Sequence, residues 1–224
     1  MSPPSEPTPF PCGMYSESEE RSNRLTHGCG FVLSVAGAVY LVGSVPERAG
    51  WERLLACVVY SASLMAVYAM STLSHGSFTD RRRTYFRALD QGCIYFLIAG
   101  SVTPLAVTYL PSTVCGLLLG TMWTIAVAGF IAKVCFSHRV DAVSVWIYVL
   151  LGWLPILATP WFLELAPLST LLWGLAGGLC YTVGTVFLIF DHRVPHFHAV
   201  WHLFVMSGSA IHYFATLYFV ARVA

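Results

Sequence analysis

The sequence predicts an all-α membrane protein, folded as a bundle of seven transmembrane helices. Hydrophobic residues make up 57% of the 224 residues and charged residues only 10%, whereas soluble domains carry about 25% charged residues. The mean hydropathy is +0.69 over the whole chain, so apolar residues are not confined to one core. Seven apolar stretches approach the ~20 residues that a spanning helix needs.

The seven predicted spans follow one another with short connections, which leave no room for a soluble domain. They cover residues 28–44, 54–74, 88–110, 114–132, 143–162, 168–190 and 198–220. Pro155 predicts a kink in the fifth span, and Gly174 and Gly178 predict close helix packing in the sixth. Residues 1–20 are polar and rich in Pro and Glu, which is typical of a disordered tail. Residues 21–224 are therefore assigned to one transmembrane domain.

Arginine and lysine in the connections predict the orientation, because these residues are enriched in cytoplasmic loops. With the N-terminus in the cytoplasm, nine cationic side chains lie inside and three outside. The inside set is Arg21, Arg24, Arg81, Arg82, Arg83, Arg87, Lys133, Arg139 and Arg193, and the outside set is Arg48, Arg53 and Arg222. We therefore expect a multi-pass protein of the cell membrane with a cytoplasmic N-terminus and an external C-terminus.

The composition also argues against several classes of site. The formal net charge of +1 provides no broad basic surface for nucleic acid. The seven cysteines are odd in number and scattered, and no Cys-x-x-Cys occurs. Neither a disulfide framework nor a thiolate metal site is expected.

Polar residues converge at one end of the predicted bundle. Ser71 and His75 end the second span, Asp90 lies in the first turn of the third, and His198 and His202 begin the seventh. In the predicted topology these three helix ends lie on the cytoplasmic side. Residues four apart share a helix face, so three helices present these side chains at similar depth.

Three neutral imidazoles and a water form an open tetrahedral zinc site, in which the pKa of the water falls to about 7. We predict Zn²⁺ bound by His75, His198 and His202. Asp90 is predicted to act as a general base or to orient a ligand, and Ser71 to donate to the water or to a developing oxyanion. Each residue alone has a simpler explanation in helix packing, capping or the interface. Ionisable residues within spans are costly, however, and usually functional.

The remaining histidines near this end leave alternatives open. His196, in a stretch interrupted by Pro195, is the alternative ligand if one of the three is misassigned. His212 lies ten residues beyond His202, about 15 Å deeper, and is predicted to be buried and hydrogen-bonded. His27 begins the first span and could approach the site, although a capping or interface role is favoured.

Four stretches carry a resemblance to a known family. They are EERSNRLTHGCG before the first span, STLSH at the end of the second, LDQGCIYFLIAGSVTP in the third and VPHFHAVWHLFVMSGSAIHYFA in the seventh. Over about residues 20–220 the sequence resembles the haemolysin III family, which is grouped with the progestin and adipoQ receptors and, more distantly, with the alkaline ceramidases.

The resemblance implies a seven-helix fold with a zinc site that faces the cytoplasm. It implies His75, His198 and His202 as ligands, with Asp90 and Ser71 around the zinc-bound water. It also implies hydrolysis of lipid amides, with a membrane lipid as substrate or ligand.

The sequence is compatible with three functions. The first is a membrane hydrolase that uses a zinc-activated water on a lipid amide or ester. The second is a receptor or a regulator of membrane lipid state in which zinc is structural. The third, a pore-forming haemolysin, is least favoured because the polar residues crowd one end while the middles of the spans are apolar.

Overall fold

All regular secondary structure in the described part of the chain is helical, which confirms the predicted all-α fold class. This computed structural model describes residues 15–77, 79–140 and 144–222. The helices are α1 (Glu17–Gly43), α2 (Trp51–Gly76), α3 (Asp80–Tyr109), α4 (Ser112–Val140), α5 (Ser144–Trp153), α6 (Thr159–Leu165), α7 (Leu168–Ile189) and α8 (Phe197–Thr216). Seven candidate spans in the described residues are long and apolar enough to cross a membrane, so the chain is an integral multi-pass membrane protein.

Helix α1 begins earlier than the predicted boundary of the transmembrane domain. The Ser16 hydroxyl accepts a hydrogen bond from the Glu19 backbone N–H, and the Glu19 carboxylate accepts one from the Ser16 N–H. This capping box satisfies two backbone donors that a helix start leaves exposed. Residues 17–20 of the predicted tail are therefore the first turn of α1, and residues 1–14 of that prediction lie outside the described residues.

The fifth span is interrupted, as the proline in its middle predicts. Helix α5 ends at Trp153 and is followed by a 3₁₀ turn over Leu154–Ala158 that contains Pro155. Helix α6 then completes the span. The predicted kink at Pro155 is confirmed, because the pyrrolidine ring has no N–H to continue the α-helical ladder.

The helices form a closed bundle. Each of α1, α2 and α3 packs on the next helix of the chain, α7 packs on α8, and α1 packs on α8. Two hydrophobic clusters result, one around Tyr60 and Val205 and the other around Tyr95 and Met122. Helix α5 packs more loosely on α3 and α7, and this looseness leaves an internal cavity between the two clusters.

One of the nine cations counted toward the orientation is deeply buried. Lys133 is within α4 and only 1% exposed. A buried lysine does not report on loop charge, so eight of those nine cations remain on the predicted inner side against three on the outer side.

Helix α7 approaches α8 closely at Gly177 and Gly184. A Cβ atom added at Gly177 would overlap the His212 ring, and one added at Gly184 would lie 2.7 Å from an α8 side chain. A Cβ atom added at Gly174 or Gly178 would meet nothing within 4 Å. Close packing therefore depends on the missing side chain at Gly177 and Gly184 and not at Gly174 or Gly178, although the Gly174 carbonyl accepts a hydrogen bond from His212.

Gly177→Ala is expected to lower the free energy of unfolding by about 1–3 kcal/mol, because the added methyl group overpacks the α7–α8 contact. Gly178→Ala is the matched control, and its stability should stay unchanged or rise slightly, since alanine favours the helix. Thermal unfolding of both variants in detergent measures the difference. Equal melting temperatures would contradict the packing of His212 on this glycine.

Candidate metal centre

Three histidines from two helices meet at one end of the bundle. One ring nitrogen from each of His75, His198 and His202 can be chosen so that all three lie within 4.8 Å of one another. The ring centroids are 5.1 Å apart for His75 and His198, 5.2 Å for His75 and His202, and 4.6 Å for His198 and His202. The group could hold one metal ion, as the sequence predicts for these three residues.

The positions follow from the helices that carry them. His75 lies in the last turn of α2, while His198 and His202 lie one turn apart at the start of α8. Because helix residues at i and i+4 lie on the same face, both α8 rings point toward α2. His202 is 1% exposed and His75 is 8% exposed, so the cluster is shielded from bulk solvent.

Each histidine also has a partner on its second nitrogen. Nδ1 of His75 donates to the Glu20 carboxylate at 2.7 Å, and Nδ1 of His198 donates to the Asp191 carboxylate at 2.7 Å. These hydrogen bonds fix the tautomer of each ring and leave Nε2 with its lone pair free for a metal.

The third ring is oriented by a hydroxyl group. Nδ1 of His202 lies 3.1 Å from Oγ1 of Thr26, and that hydroxyl donates its own proton to the Asn23 backbone carbonyl. The same hydroxyl also lies 3.0 Å from the Ser22 backbone carbonyl, so Thr26 is held in place beside His202. The rings of His75 and His198 hold the proton on Nδ1, the arrangement that metal-binding histidines commonly have.

Tyr15 completes the environment of His198. Its hydroxyl donates to Asp191 at 2.6 Å and lies 3.0 Å from Nδ1 of His198. Burial raises the pKa of Asp191, but its hydrogen bonds with His198 and Tyr15 outweigh this and hold the pKa below its usual range. Burial and the neighbouring Asp191 charge raise the pKa of Tyr15. A neutral tyrosine therefore donates to an ionised carboxylate at neutral pH.

Ser71 and Asp90 lie in the same region as the three histidines. Both line the cavity that contains the three histidines, and the Ser71 hydroxyl lies beside the Asp90 carboxyl. The Ser71 hydroxyl is fully buried, and its oxygen has no hydrogen-bond partner of acceptable geometry among the described residues. A buried hydroxyl normally has a partner, so Ser71 is suited to a ligand or water at this position.

His27 is part of the site rather than a cap or an interface residue. It is 3% exposed, and its ring stacks on His202 with centroids 3.5 Å apart and an angle of 15°. Neither of its ring nitrogens has a hydrogen-bond partner among the described residues, and the same holds for the side chain of buried Asn23. The first span therefore contributes buried polar groups next to the histidine cluster.

His196 and His212 behave differently from each other. His196 is exposed and has a positive φ of 64°, and its backbone N–H donates to Glu19 at 3.0 Å. Its side chain is not in the three-histidine group. His212 is inward-facing, and its Nε2 donates to the Gly174 carbonyl at 3.1 Å, which confirms the predicted hydrogen-bonded role.

Sequence reasoning missed the residues that orient the histidines. Glu20 and Tyr15 lie in the stretch predicted to be a tail, and Asp191 lies in a connection between two predicted spans. One available signal was the Ser-x-x-Glu pattern of Ser16 and Glu19, which is typical of a helix start and would have brought Glu20 into α1. The stacking of His27 follows only from the packing of α1 on α8.

A cavity of about 740 Å³ joins this centre to the interior of the bundle, a volume within the usual range for small-molecule sites. On α3 its lining runs from Arg87 to Val102, about 22 Å along the helix axis. Polar side chains occupy the end near the histidines, and Ile94, Leu97 and Ile98 line the next turns. The cavity is therefore a slot with a polar end at the histidines and a mainly apolar remainder, in which Ser101 and His212 are scattered polar groups.

The residues present fit a divalent metal of the zinc type. Three imidazoles, each with Nδ1 hydrogen-bonded and Nε2 available, are a usual donor set for zinc with an open coordination position. Ser71 and Asp90 line the same cavity as the three rings and supply a hydroxyl and a carboxyl group that could hydrogen-bond a fourth ligand.

The fold and the site together define a class: multi-pass membrane proteins with a buried histidine centre at one end of a seven-span bundle. The family model described as "Haemolysin-III related" matches residues 15–213. The chain therefore belongs to the haemolysin III family, as its motifs predict.

Curated relatives support the same assignment. The chain is 35% identical to hemolysin-3 of Bacillus cereus over 92% of its own length and 94% of the relative, and 33% identical to a hemolysin-3 homolog of Bacillus subtilis (strain 168) over 94% and 98%. It is 29% identical to human monocyte to macrophage differentiation factor, with 88% of the chain and 82% of the relative covered. No solved structure matches the chain.

Asp191→Asn is expected to weaken metal binding by about 10- to 100-fold, because it removes the charge that holds His198 in its ligating tautomer. Metal affinity is measured by competition with a chelator of known strength. Glu164→Gln, which changes an exposed carboxylate in α6, is the control and should bind metal like the wild type. An unchanged affinity in Asp191→Asn would contradict the orienting role.

Proposed function

We propose that the protein is a membrane hydrolase that cleaves lipid amides at the three-histidine centre, with Zn²⁺ as its cofactor. The observation that carries the proposal is the cavity that contains His75, His198, His202 and Asp90 at its polar end and continues as a mainly apolar slot. Such a cavity admits an acyl chain from the bilayer and brings its carbonyl group to the histidines.

A zinc ion at this centre would supply Lewis acidity, which polarises a carbonyl and makes water acidic near neutral pH. Asp90 is the general base in this proposal: it takes a proton from the attacking water and then gives it to the leaving amine nitrogen as the C–N bond breaks. Ser71 donates a hydrogen bond to the negative charge that develops on the carbonyl oxygen. His27 and Tyr15 close the polar end of the cavity around these groups.

Hydrolysis is tested with the purified full-length protein in detergent or liposomes, supplied with a panel of N-acyl lipids and lipid esters. We expect release of fatty acid by the wild type and none above background by His202→Ala. If metal-containing wild-type protein turns over no lipid in the panel, the alternative of a receptor or lipid-state regulator with structural zinc takes precedence.

We infer also that the metal centre faces the cytoplasm. The support is the charge bias, which stays at eight cations against three after Lys133 is set aside. In this orientation the N-terminus is cytoplasmic and the C-terminus external. A C-terminal fusion to a phosphatase that folds only outside the cytoplasm should be active, and an inactive but stable fusion would reverse the assignment.

A further inference from the structure

Lys133 is a buried cation that the proposed hydrolysis does not use. It lies within the fourth span, is 1% exposed and lines the cavity. A charged side chain inside a span is costly to bury, and such residues commonly mark the path or the binding site of a polar ligand.

The packing of α4 on α3 gives the depth of Lys133. A Cβ atom at Gly92 would lie 2.7 Å from Phe130, and one at Gly129 would lie 2.6 Å from the Tyr95 ring. These close approaches fix the register of two antiparallel helices. Lys133, one turn beyond Phe130, therefore lies at the level of the α3 turn that precedes Gly92, which is the turn that carries Asp90.

The same region of α3 adds a second cation and an amide. Arg87 and Gln91 are four residues apart on one helix face, and both line the cavity together with Lys133. Oε1 of Gln91 is buried without a hydrogen-bond partner among the described residues. Tyr148 of α5 holds this turn, since its hydroxyl donates to the Gln91 backbone carbonyl at 2.8 Å.

The cations and the histidines approach the cavity from different helices. The histidines belong to α2 and α8, whereas Arg87 and Lys133 belong to α3 and α4. The Asp191 carboxylate, which also lines the cavity, is hydrogen-bonded to His198 and Tyr15.

The polar end of the cavity therefore has a metal-binding wall and a second wall on α3 and α4. On the second wall two cations, Arg87 and Lys133, outnumber the one carboxylate, Asp90, and Gln91 adds a hydrogen-bond acceptor. The Arg87 guanidinium lies 5.8 Å from the centre of the Tyr15 ring, so it is close to both walls.

We propose that Lys133, Arg87 and Gln91 form a headgroup subsite for lipids whose polar part carries a carboxylate or a phosphate. The two cations bind the anion, and Oε1 of Gln91 accepts from an N–H or O–H group beside it. The idea that this lipid is a substrate rests on the hydrolase function proposed above. An acyl amide of an amino acid and a phosphorylated lipid amide both have the required chemistry. The acyl chain of each would occupy the slot, the amide would lie at the histidines, and the anionic group would bind to Lys133.

Binding of simple amphiphiles to the full-length protein, purified with its metal, tests the subsite. The probes are dodecyl phosphate, dodecyltrimethylammonium and inorganic phosphate, titrated calorimetrically in a neutral maltoside detergent with the metal content of each sample measured. We expect dodecyl phosphate to bind at least about tenfold more tightly than the cationic amphiphile, the scale of one charge-assisted hydrogen bond. Inorganic phosphate should bind more weakly still, because it has no chain for the slot.

Lys133→Met should remove most of the preference for dodecyl phosphate while the metal content stays unchanged. Arg82→Met is the control, since Arg82 is an exposed cation at the start of α3, and it should keep the preference. A metal-loaded Lys133→Met protein that still prefers the anion would show that the metal, not the subsite, binds it, and the proposal would fail.

Binding measurements on the wild type alone can also overturn the proposal, so the proposal can still be tested if Lys133→Met does not fold. Equal affinity for the two amphiphiles would exclude an anionic headgroup subsite. Inorganic phosphate that binds as tightly as dodecyl phosphate would identify a free anion as the ligand and exclude the lipid headgroup. None of these measurements needs turnover, so an anion preference in a protein that hydrolyses no lipid would refute the hydrolase function and leave the subsite intact.

Discussion

His202→Ala is expected to lower metal affinity by more than about 100-fold. Loss of a residue that only hydrogen-bonds to a ligand already lowers metal affinity by up to about 100-fold, and the loss of a ligand itself should cost more. The substitution removes one of three ligands and leaves His75 and His198, which hold a divalent ion weakly. Metal analysis of the purified proteins should find close to one zinc per wild-type chain and almost none in the variant. Because a ligand that binds only the folded state stabilises it, added zinc should raise the melting temperature of the wild type and not of His202→Ala.

Two control variants make this result specific to the centre. His196→Asn changes the exposed histidine that was the alternative ligand, and asparagine tolerates its positive φ. His212→Ala changes a histidine on the same helix as His202, hydrogen-bonded to Gly174 instead. Both should keep their zinc. Loss of zinc from His196→Asn, or equal zinc in His202→Ala and wild type, would remove the three-histidine centre as the metal site.

Asp90→Asn is expected to reduce lipid hydrolysis by about 10²- to 10⁴-fold, the usual contribution of a general base. Asparagine keeps the size and most of the hydrogen bonding of the carboxyl group but cannot take a proton from water. The metal content should stay within about twofold of the wild type, because Asp90 is not one of the clustered ligands. Turnover and zinc content are measured on the same preparation.

The comparison of activity with metal content separates catalysis from structure. Asp80→Asn, at the exposed first residue of the same helix, is the control and should match the wild type in both measurements. If Asp90→Asn loses zinc in proportion to its activity, the role of Asp90 is to hold the site together. If it keeps zinc and hydrolyses lipid normally, Asp90 is not the base.

The three-histidine cluster could be predicted from the sequence because membrane spans impose a simple geometry. Alternate spans run in opposite directions, so the end of the second span and the starts of the third and seventh lie at the same side of the bundle. The i, i+4 spacing then puts His198 and His202 on one face. These two rules bring His75 to the α8 pair without knowledge of side-chain packing.

The residues that hydrogen-bond to the clustered histidines could not be predicted from span geometry. Glu20 and Tyr15 lie in a polar stretch with no apolar periodicity, and the composition of residues 1–20 favours a tail. Asp191 is a lone acid in a connection. These residues reach the histidines only because the N-terminal turn of α1 and the connection before α8 pack against the end of α2. That contact joins segments far apart in sequence, so no local pattern predicts it.

The sequence by itself determined the fold class, the seven spans, the kink at Pro155 and the three histidines, because hydropathy and helix periodicity act locally along the chain. The tertiary structure alone decided the hydrogen-bond partners of the clustered histidines, the stacking of His27 on His202, the burial of Lys133 and the cavity. These features arise between helices distant in sequence. Their geometry depends on how side chains such as Phe130 and Tyr95 fit against Gly92 and Gly129, and no local pattern encodes that fit.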